Sequence, residues 1–505
     1  MLLYNIVYSY LLAKKNTISL GDFKNNLNKN EIIGLINFII SEIKKKTKNN
    51  KKKQILIAIY LPRNVWYICS IFATWLSGNY FVPLNQNWPK KYLESILKDC
   101  DPFLIISNKD LNIKEYKKKI IKITKITKIK KKQKLLIQNP KKIKNKISYL
   151  IYTSGSSGDK KGVIISEKNL VSYMKWVKSE FKNQKFKSIL ITGELSFDIL
   201  IGDLSNALMF KTSIYLTPDT RNTLKTMYMI KTKNIEAIYG VPSTLKNLFL
   251  YATSRGDKLN SLRTIFSGGD VINTNLFKMV RKVCPQASFI NMYGPTEITV
   301  NCLSMDLSKI SFKDKKNFII PTGKEFTHLD YRLIDPVSLK RKKNSGELIV
   351  GGSQMMPGYL NDKTINSSRF VKIKNKKYYR TGDIFEKKKG IYYFLNRFDK
   401  LTKYKGFRIN TLTIDNILQT LDFIKDAKTL VYKDNNKEVL TSFVSVTKKI
   451  NKDKNIEKNI LRKVQKELPK HNVPDKLIIL DDLFYNDRGK YNIPKFNKIL
   501  NRTLN

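Results

Sequence analysis

The sequence predicts an α/β protein: a large N-terminal region with parallel and mixed sheets and a β-rich subdomain, then a small α+β segment. Three observations predict it. "QILIAIYL" at 54–61 is an apolar run of strand length, followed by the helix-length "VWYICSIFATWLSGNYFVPL" with Gly78 and a second short strand. Strand, helix, strand at that spacing is a βαβ signal and favours a parallel sheet. From residue 188 the alternation resumes through several strand-then-helix units. After about residue 320 the character changes to short strands between turns, which marks the β-rich part.

The elements follow in chain order. "MLLYNIVYSYLLAKK" is apolar for about a dozen residues, without the basic start and small-residue cleavage site of a signal peptide. It is too short to span a bilayer, so it reads as a helix packed on the core. The stretch 112–147 is low in complexity and rich in Lys and Ile. It reads mostly as a solvated connection, although its Ile positions suit an edge strand. "ISYLIY" at 147–152, "SILITG" and "TSIYLTP" are strands, and "NTLKTMYMIKTKN" is a helix. "IEAIYGVPSTLKNLFLYATS", "SLRTIFSGGD", "NTNLFKMVRKVC" and "ASFINMYGPTE" continue the pattern, each turn marked by Gly, Pro or Ser. "DYRLIDP", "GELIVGG", "KYYRTGD" and "GIYYFLNR" are the short strands. Past residue 400 strand and helix signals mix, and no internal repeat is present.

At 505 residues, with 42% hydrophobic and 11% aromatic residues, the chain has enough apolar surface for real cores. The formal charge of +54 points, by itself, to a polyanion-binding protein. Lys far outnumbers Arg, however, and Lys, Asn and Ile are abundant everywhere. That is the mark of a compositional drift rather than of a binding surface, so neither nucleic acid nor membrane insertion is expected. Polyanion binding stays as the non-enzymatic alternative. Four cysteines are scattered without a C-x-x-C pair, and His328 and His471 lie far apart. No zinc or disulfide framework is visible, which fits a reducing, cytoplasmic setting.

One short stretch carries chemistry. "YTSGSSGDKKGV" at 152–163 follows an apolar strand. Gly155, Gly158 and Gly162 allow backbone N–H groups to converge on one spot, an anion-binding nest. Thr153, Ser154, Ser156 and Ser157 add hydroxyl donors, and Lys161 adds a cation. The G-x-x-x-x-G-K-S/T spacing of the mononucleotide loop is absent.

That stretch resembles the signature loop of the adenylate-forming enzymes, which include acyl-CoA synthetases, luciferases and amino-acid adenylation domains. Further segments match in the expected order: "VPLNQNWP" at 82–89, "SFDILIGDL" at 196–204, "NMYGPTE" at 291–297 and "GELIVGG" with Gly358 and Tyr359. "YRTGD" at 379–383, "NRFDKLTKYKGFRI" at 396–409 and "NDRGK" at 486–490 complete the series, which covers nearly the whole chain.

The resemblance implies a division into residues 1–396, binding ATP and a carboxylate, and a small mobile domain, 397–505, carrying the catalytic Lys490. It implies ATP with Mg²⁺ and two steps: an acyl adenylate forms with release of pyrophosphate, then the acyl group passes to a phosphopantetheine thiol. The thiol comes on a carrier protein in trans or on coenzyme A. By motif, Thr153, Ser154, Gly155, Ser156, Ser157, Gly158 and Lys161 hold phosphates. Asn291, Met292, Tyr293, Gly294 and Pro295 line the nucleotide site, with Tyr293 stacked on adenine. Thr296 bonds the α-phosphate and Glu297 holds Mg²⁺, a hard oxygen ligand for a hard ion. Asp383 accepts the ribose hydroxyls, Arg397 lies beside phosphates and ribose, and Asp399 is the hinge. Lys490 touches the substrate carboxylate and the α-phosphate together, offsetting the repulsion between them.

Asp198 matches the carboxylate that pairs with the ammonium of an amino acid, so an amino-acid substrate is expected. Phe266, Gly268, Met292, Val300 and Asn301 are the further pocket positions. Phe266 and Met292 narrow the pocket toward a small side chain, and Asn301 is placed to bond a polar one. The pattern is most similar to D-alanine–carrier protein ligases. An acyl- or aryl-CoA ligase is the alternative. Four departures stand out: Ser157 for Thr, Lys160 for a Pro that would stiffen the loop, Asn396 for Gly, and Asp415 for Glu. Lys160 is expected to loosen the loop, and Asn396 to be accommodated by the tolerance of Asn for left-handed backbone.

Overall fold

The computed structural model describes residues 2–13, 18–111, 113–123, 134–136, 146–154, 160–184, 186–219, 222–310, 320–398, 402–404, 407–409, 411–434, 437–447, 455–467, 473–486 and 489–503. The strand Leu56–Tyr60 is buried at every position, as an unbroken apolar run requires. It pairs in parallel with Tyr80–Pro83 and Leu104–Ser107, and the intervening helix Val65–Leu76 is buried along its length. Gly78, at φ +80, makes the turn between helix and strand. The sheet continues through Ile147–Ser154 to Lys160–Ser166 and Gly358–Tyr359 on one side. On the other it ends at Ile120–Lys122. Part of the stretch expected as a connection is therefore an edge strand, and Asn37 ties residues 134 and 136 to the core through its side-chain amide.

A second sheet runs in parallel through Ser288–Tyr293, Thr264–Gly268, Ala237–Gly240, Ser188–Ile191 and Ser213–Leu216. One core joins the two sheets. It contains Ile57, Phe81 and Tyr149 from the first, Tyr239 and Phe266 from the second, and Tyr4, Val7 and Tyr10 from the N-terminal helix Leu3–Leu11. Each fully buried aliphatic or aromatic side chain there contributes roughly 1.5–3 kcal/mol.

The β-rich stretch is an antiparallel sheet of Leu329–Ile334, Ser345–Gly352, Lys376–Lys388, Phe370–Ile373 and Ile391–Arg397. After Arg397 the chain builds separate cores. The strands Ile424–Asp434, Lys437–Val446 and Lys476–Leu480 form a three-stranded sheet. Ile414, Leu418, Leu440, Ile460 and Val464 form one core cluster, and Phe443, Leu483, Phe496 and Leu500 another. Among the described residues, no helix is long and apolar enough to cross a membrane.

Candidate active site

The residues after the strand Ser288–Tyr293 make a tight reversal that the side-chain sequence explains. A Cβ on Gly294 would lie 2.4 Å from Asn301 Cα and 2.6 Å from the Val300 carbonyl oxygen, so no other residue fits. One 3-10 turn, Thr296–Ile298, follows. Thr299 and Val300 then take φ of 56 and 70, a left-handed conformation that β-branched residues adopt at a cost of roughly 1–3 kcal/mol each. The fully buried Gln354 holds the strain. Its side-chain amide donates to the carbonyls of Ile298 at 3.0 Å and Asn301 at 2.8 Å, and its backbone carbonyl accepts from Thr299 Oγ1 at 2.6 Å.

This reversal presents Thr296 and Glu297 in the direction of Asp198. Asp198 stands at the start of the helix Ile199–Phe210, and its carboxylate accepts a hydrogen bond from the Thr296 side chain. Burial lifts its pKa to about 6, against the lowering effects of Thr296 and of the Lys490 charge. Glu297, 9% exposed, accepts the Tyr359 hydroxyl at 2.6 Å, and Tyr359 meets Tyr379 at 3.1 Å. Lys490 arrives from the C-terminal segment. Asn486 N–H donates to the Lys490 carbonyl at 2.7 Å, and Lys490 N–H donates back to Asn486 Oδ1 at 3.0 Å. Gly489, at φ +70, lets this turn sit against Val241 and Ser243. Residues separated by almost 300 positions thus come within electrostatic reach of one another.

Two of the residues expected at the nucleotide, Tyr293 and Arg397, meet at Asp383. Tyr293 donates its hydroxyl to Asp383 Oδ2 at 2.5 Å, and Arg397 donates to Oδ1 at 3.1 Å. The remaining letters of "YRTGD" hold that carboxylate in place. Arg380 grips the buried Glu347 of "GELIVGG", Gly382 N–H donates to the same carboxylate, and Thr381 bonds the Leu348 carbonyl. Asn291 is spent on the fold, donating to the Pro321 carbonyl at 2.9 Å. Met292 is 2% exposed. Pro295 precedes the 3-10 turn.

The phosphate loop is the connection of a β-hairpin. Thr153 stands opposite Lys161, which is largely buried, and Ser154 stands opposite Lys160. Gly155, Ser156, Ser157 and Gly158 lie outside the described residues, as does the hinge candidate Asp399. Both roots of the hairpin are tied to the helix Lys90–Cys100. Tyr152 bonds Asp99, and Lys160 Nζ lies 4.4 Å from the Tyr92 ring centroid. The Lys160 side chain is thus held at the hairpin root, while the loop it was expected to loosen lies outside the described residues. Asn396 likewise needs no left-handed backbone: it lies in the strand Ile391–Arg397 opposite Ile384, where a register shift follows. Asp415 pairs with Lys428 at 2.7 Å inside the C-terminal segment.

The residues expected to line the acid pocket fall in an aromatic cluster. Phe266 is fully buried and packs on Phe181, Phe186 and Tyr239. A Cβ at Gly268 would lie 2.4 Å from the Met292 carbonyl oxygen and 2.9 Å from the Tyr239 hydroxyl. Gly202 faces Tyr239 and Val300. Asn301 Oδ1 accepts from Tyr173 at 3.1 Å and from Tyr239 at 3.2 Å, which commits that oxygen to the wall. Tyr173, Tyr239, Gln354 and Tyr379 were not singled out in the sequence, and Tyr359 was named there without a role. Only Tyr359 and Tyr379 lie inside matched motifs.

For Mg²⁺, the donor set is a single carboxylate. Tyr359 occupies Oε1 of Glu297, and among the described residues no group of three or more His, Cys, Asp or Glu could hold a metal. One carboxylate fits an ion that keeps its waters and rides on nucleotide phosphates.

Comparison with known proteins agrees with this geometry. Residues 47–360 match the family model described as AMP-binding enzyme. Bacitracin synthase 2 of Bacillus licheniformis is 26% identical over 445 residues, covering 87% of this chain but 16% of that protein. The dapdiamide synthesis protein DdaD of Enterobacter agglomerans is 26% identical over 377 residues, 74% of this chain and 61% of its own length. The chain thus spans less than two thirds of either relative. Among solved structures, a four-domain nonribosomal peptide synthetase bound to AMP and glycine superposes with a TM-score of 0.82 at 22% identity, covering 98% of this chain and 36% of that one. The anthranilate CoA ligase AuaEII in complex with anthranoyl-AMP superposes with a TM-score of 0.83 at 15% identity, covering 100% and 98%. These last two show a shared fold.

Proposed function

The chain belongs to the AMP-binding enzyme family, and from that premise we propose that it activates a small amino acid, D-alanine being the first candidate, as its adenylate and passes it to a thiol. The observation that carries the reading is Asp198: a partly accessible carboxylate in the acid pocket, bonded to Thr296 and within the field of Lys490. A substrate ammonium answers that charge, and an uncharged acid does not. The buried rings of Phe266, at a position expected to line the pocket, and of Tyr239 beside it suit a short side chain rather than a long one.

In this reading Tyr293, Asp383 and Arg397 hold the nucleoside of ATP, the hairpin 153–161 holds its outer phosphates, and Glu297 would hold Mg²⁺, which neutralises phosphate charge when bound. The substrate carboxylate oxygen attacks the α-phosphorus, and the bond to the bridging oxygen of pyrophosphate breaks. Lys490 offsets the negative charge that accumulates on the α-phosphate oxygens. A thiol then attacks the acyl carbon and AMP leaves. The thiol is the phosphopantetheine of a carrier protein acting in trans, or coenzyme A. Residues 397–505 rotate about Asp399 between the steps, and the setting is cytoplasmic.

ATP–pyrophosphate exchange across amino acids, both alanine enantiomers included, and simple carboxylic acids tests this. Exchange is expected with a small amino acid. Exchange only with acids lacking an amino group refutes the Asp198 argument and makes the chain an acyl- or aryl-CoA ligase. No exchange together with salt-sensitive RNA binding makes it a polyanion-binding protein. Lys490→Ala is expected to abolish exchange and to spare transfer from a pre-made aminoacyl adenylate.

A further inference from the structure

One ion pair crosses from the helix Pro242–Ser254 to the C-terminal segment. Lys246 Nζ lies 2.9 Å from Asp426 Oδ2, with side chains 15% and 3% exposed. Asp426 is also a hub inside its own segment. Tyr485 and Tyr491 donate hydroxyls to it, Tyr491 at 2.8 Å, and Gln419 donates its amide at 3.0 Å. Tyr485 and Tyr491 flank the turn that carries Lys490; they pair across it and stack with centroids 5.1 Å apart. The same turn rests on the first residues of the helix that carries Lys246, with Gly489 against Val241 and Ser243. Nearby, Asn275 donates to the Ile424 carbonyl at 3.2 Å, two residues from Asp426.

We infer that Lys246 and Asp426 are positioning residues for Lys490: their pair fixes the root of the Lys490 turn against the helix Pro242–Ser254, and Lys490 reaches the acid pocket while the pair is closed. The inference rests on the role proposed above for Lys490. Its energetics suit a contact that must break and re-form. When Lys246 departs to water, Asp426 keeps Tyr485, Tyr491 and Gln419 as donors, so no buried charge is stranded. The Asp415–Lys428 pair is no such device, because both residues belong to the C-terminal segment.

The structure supplies its own reporter. An ideal Cβ at Gly489 lies 3.7 Å from Ser243 Cβ, inside the roughly 3.5–4.5 Å that disulfides need; it also lies 2.9 Å from Val241 Cγ2, so the reporter carries Val241→Ala as well to make room for it. In a Ser243→Cys/Gly489→Cys protein, the rate of cross-linking under glutathione disulfide counts closure without any substrate. Lys246→Met is expected to slow cross-linking, and in the protein with Ser243 and Gly489 intact to lower pyrophosphate exchange, each by roughly ten- to a hundred-fold. Lys246→Arg restores both. Asp426→Asn acts in the same direction in a protein whose melting transition is retained. Cross-linking unchanged in Lys246→Met overturns the inference. Lys490→Ala separates the two readings. If it keeps exchange activity, the role of Lys490 falls, while the cross-linking rates still decide whether the pair controls closure.

Discussion

Replacing Asp198 with Asn joins stability to specificity at one atom. The carboxyl group has an ordinary pKa of 3.8, and burial lifts it to about 6 in the fold. Each pH unit between those values is worth about 1.4 kcal/mol, so carrying the ionised form costs the folded chain about 3 kcal/mol. The sign follows from the direction. Because the folded value is the higher one, the cost is absent below 3.8, grows as pH rises, and is complete above about 6. Asparagine has the same shape and still accepts from Thr296, but carries no charge to desolvate. Asp198→Asn is therefore expected to melt higher than the parent at pH 7.5 and level with it near pH 4. At the same time it loses the partner for a substrate ammonium. For the amino acid found in the exchange panel, kcat/KM should fall by roughly a hundred- to a thousand-fold. In the parent, amino-acid binding should strengthen as pH rises through about 6. Thermal melts across that pH range and exchange kinetics at two pH values check all three. A variant that melts lower than the parent at pH 7.5, or keeps its KM for the amino acid, refutes the reasoning.

Two further changes follow from distances. Gly294→Ala places a Cβ 2.4 Å from Asn301 Cα, so the reversal must open. Thermal melts should show a loss of roughly 3 kcal/mol or more, and exchange kinetics should show KM rising for ATP and acid together. Tyr359→Phe removes the donor to Glu297 Oε1 and is expected to cost about 1–2 kcal/mol of stability. The Mg²⁺ concentration for half-maximal exchange should rise severalfold with ATP KM unchanged at saturating Mg²⁺, and Mn²⁺ binding followed by electron paramagnetic resonance should weaken in parallel.

What was legible in the sequence was local. Unbroken apolar runs such as 56–60 must be buried on both faces, Gly78 takes a positive φ and Gly294 stands where no Cβ fits, so strands and reversals announce themselves. The motif residues Tyr293, Asp383 and Arg397 were named separately, and their meeting on one carboxylate agrees with a shared role. What stayed hidden depends on partners distant in the chain. Tyr173 and Tyr239 look like ordinary core tyrosines until the fold brings both to Asn301 Oδ1. Gln354 lies in a turn whose composition says nothing of the strain it holds at Thr299 and Val300. Lys160 is a further case: the missing proline was visible, but the Tyr92 ring that its side chain reaches lies on the distant helix Lys90–Cys100.

Phe266 has a consequence for anyone wishing to retune the enzyme. Its ring, proposed to back the acid pocket, is a fully buried member of the main core. Carving space there for a bulkier acid removes material the whole molecule leans on, at roughly 3–5 kcal/mol for Phe→Ala. Broadening by that route and robustness are therefore opposed. Val300, 2% exposed and part of the same core, carries the same double duty, so retuning at either position calls for compensating changes in the packing around it.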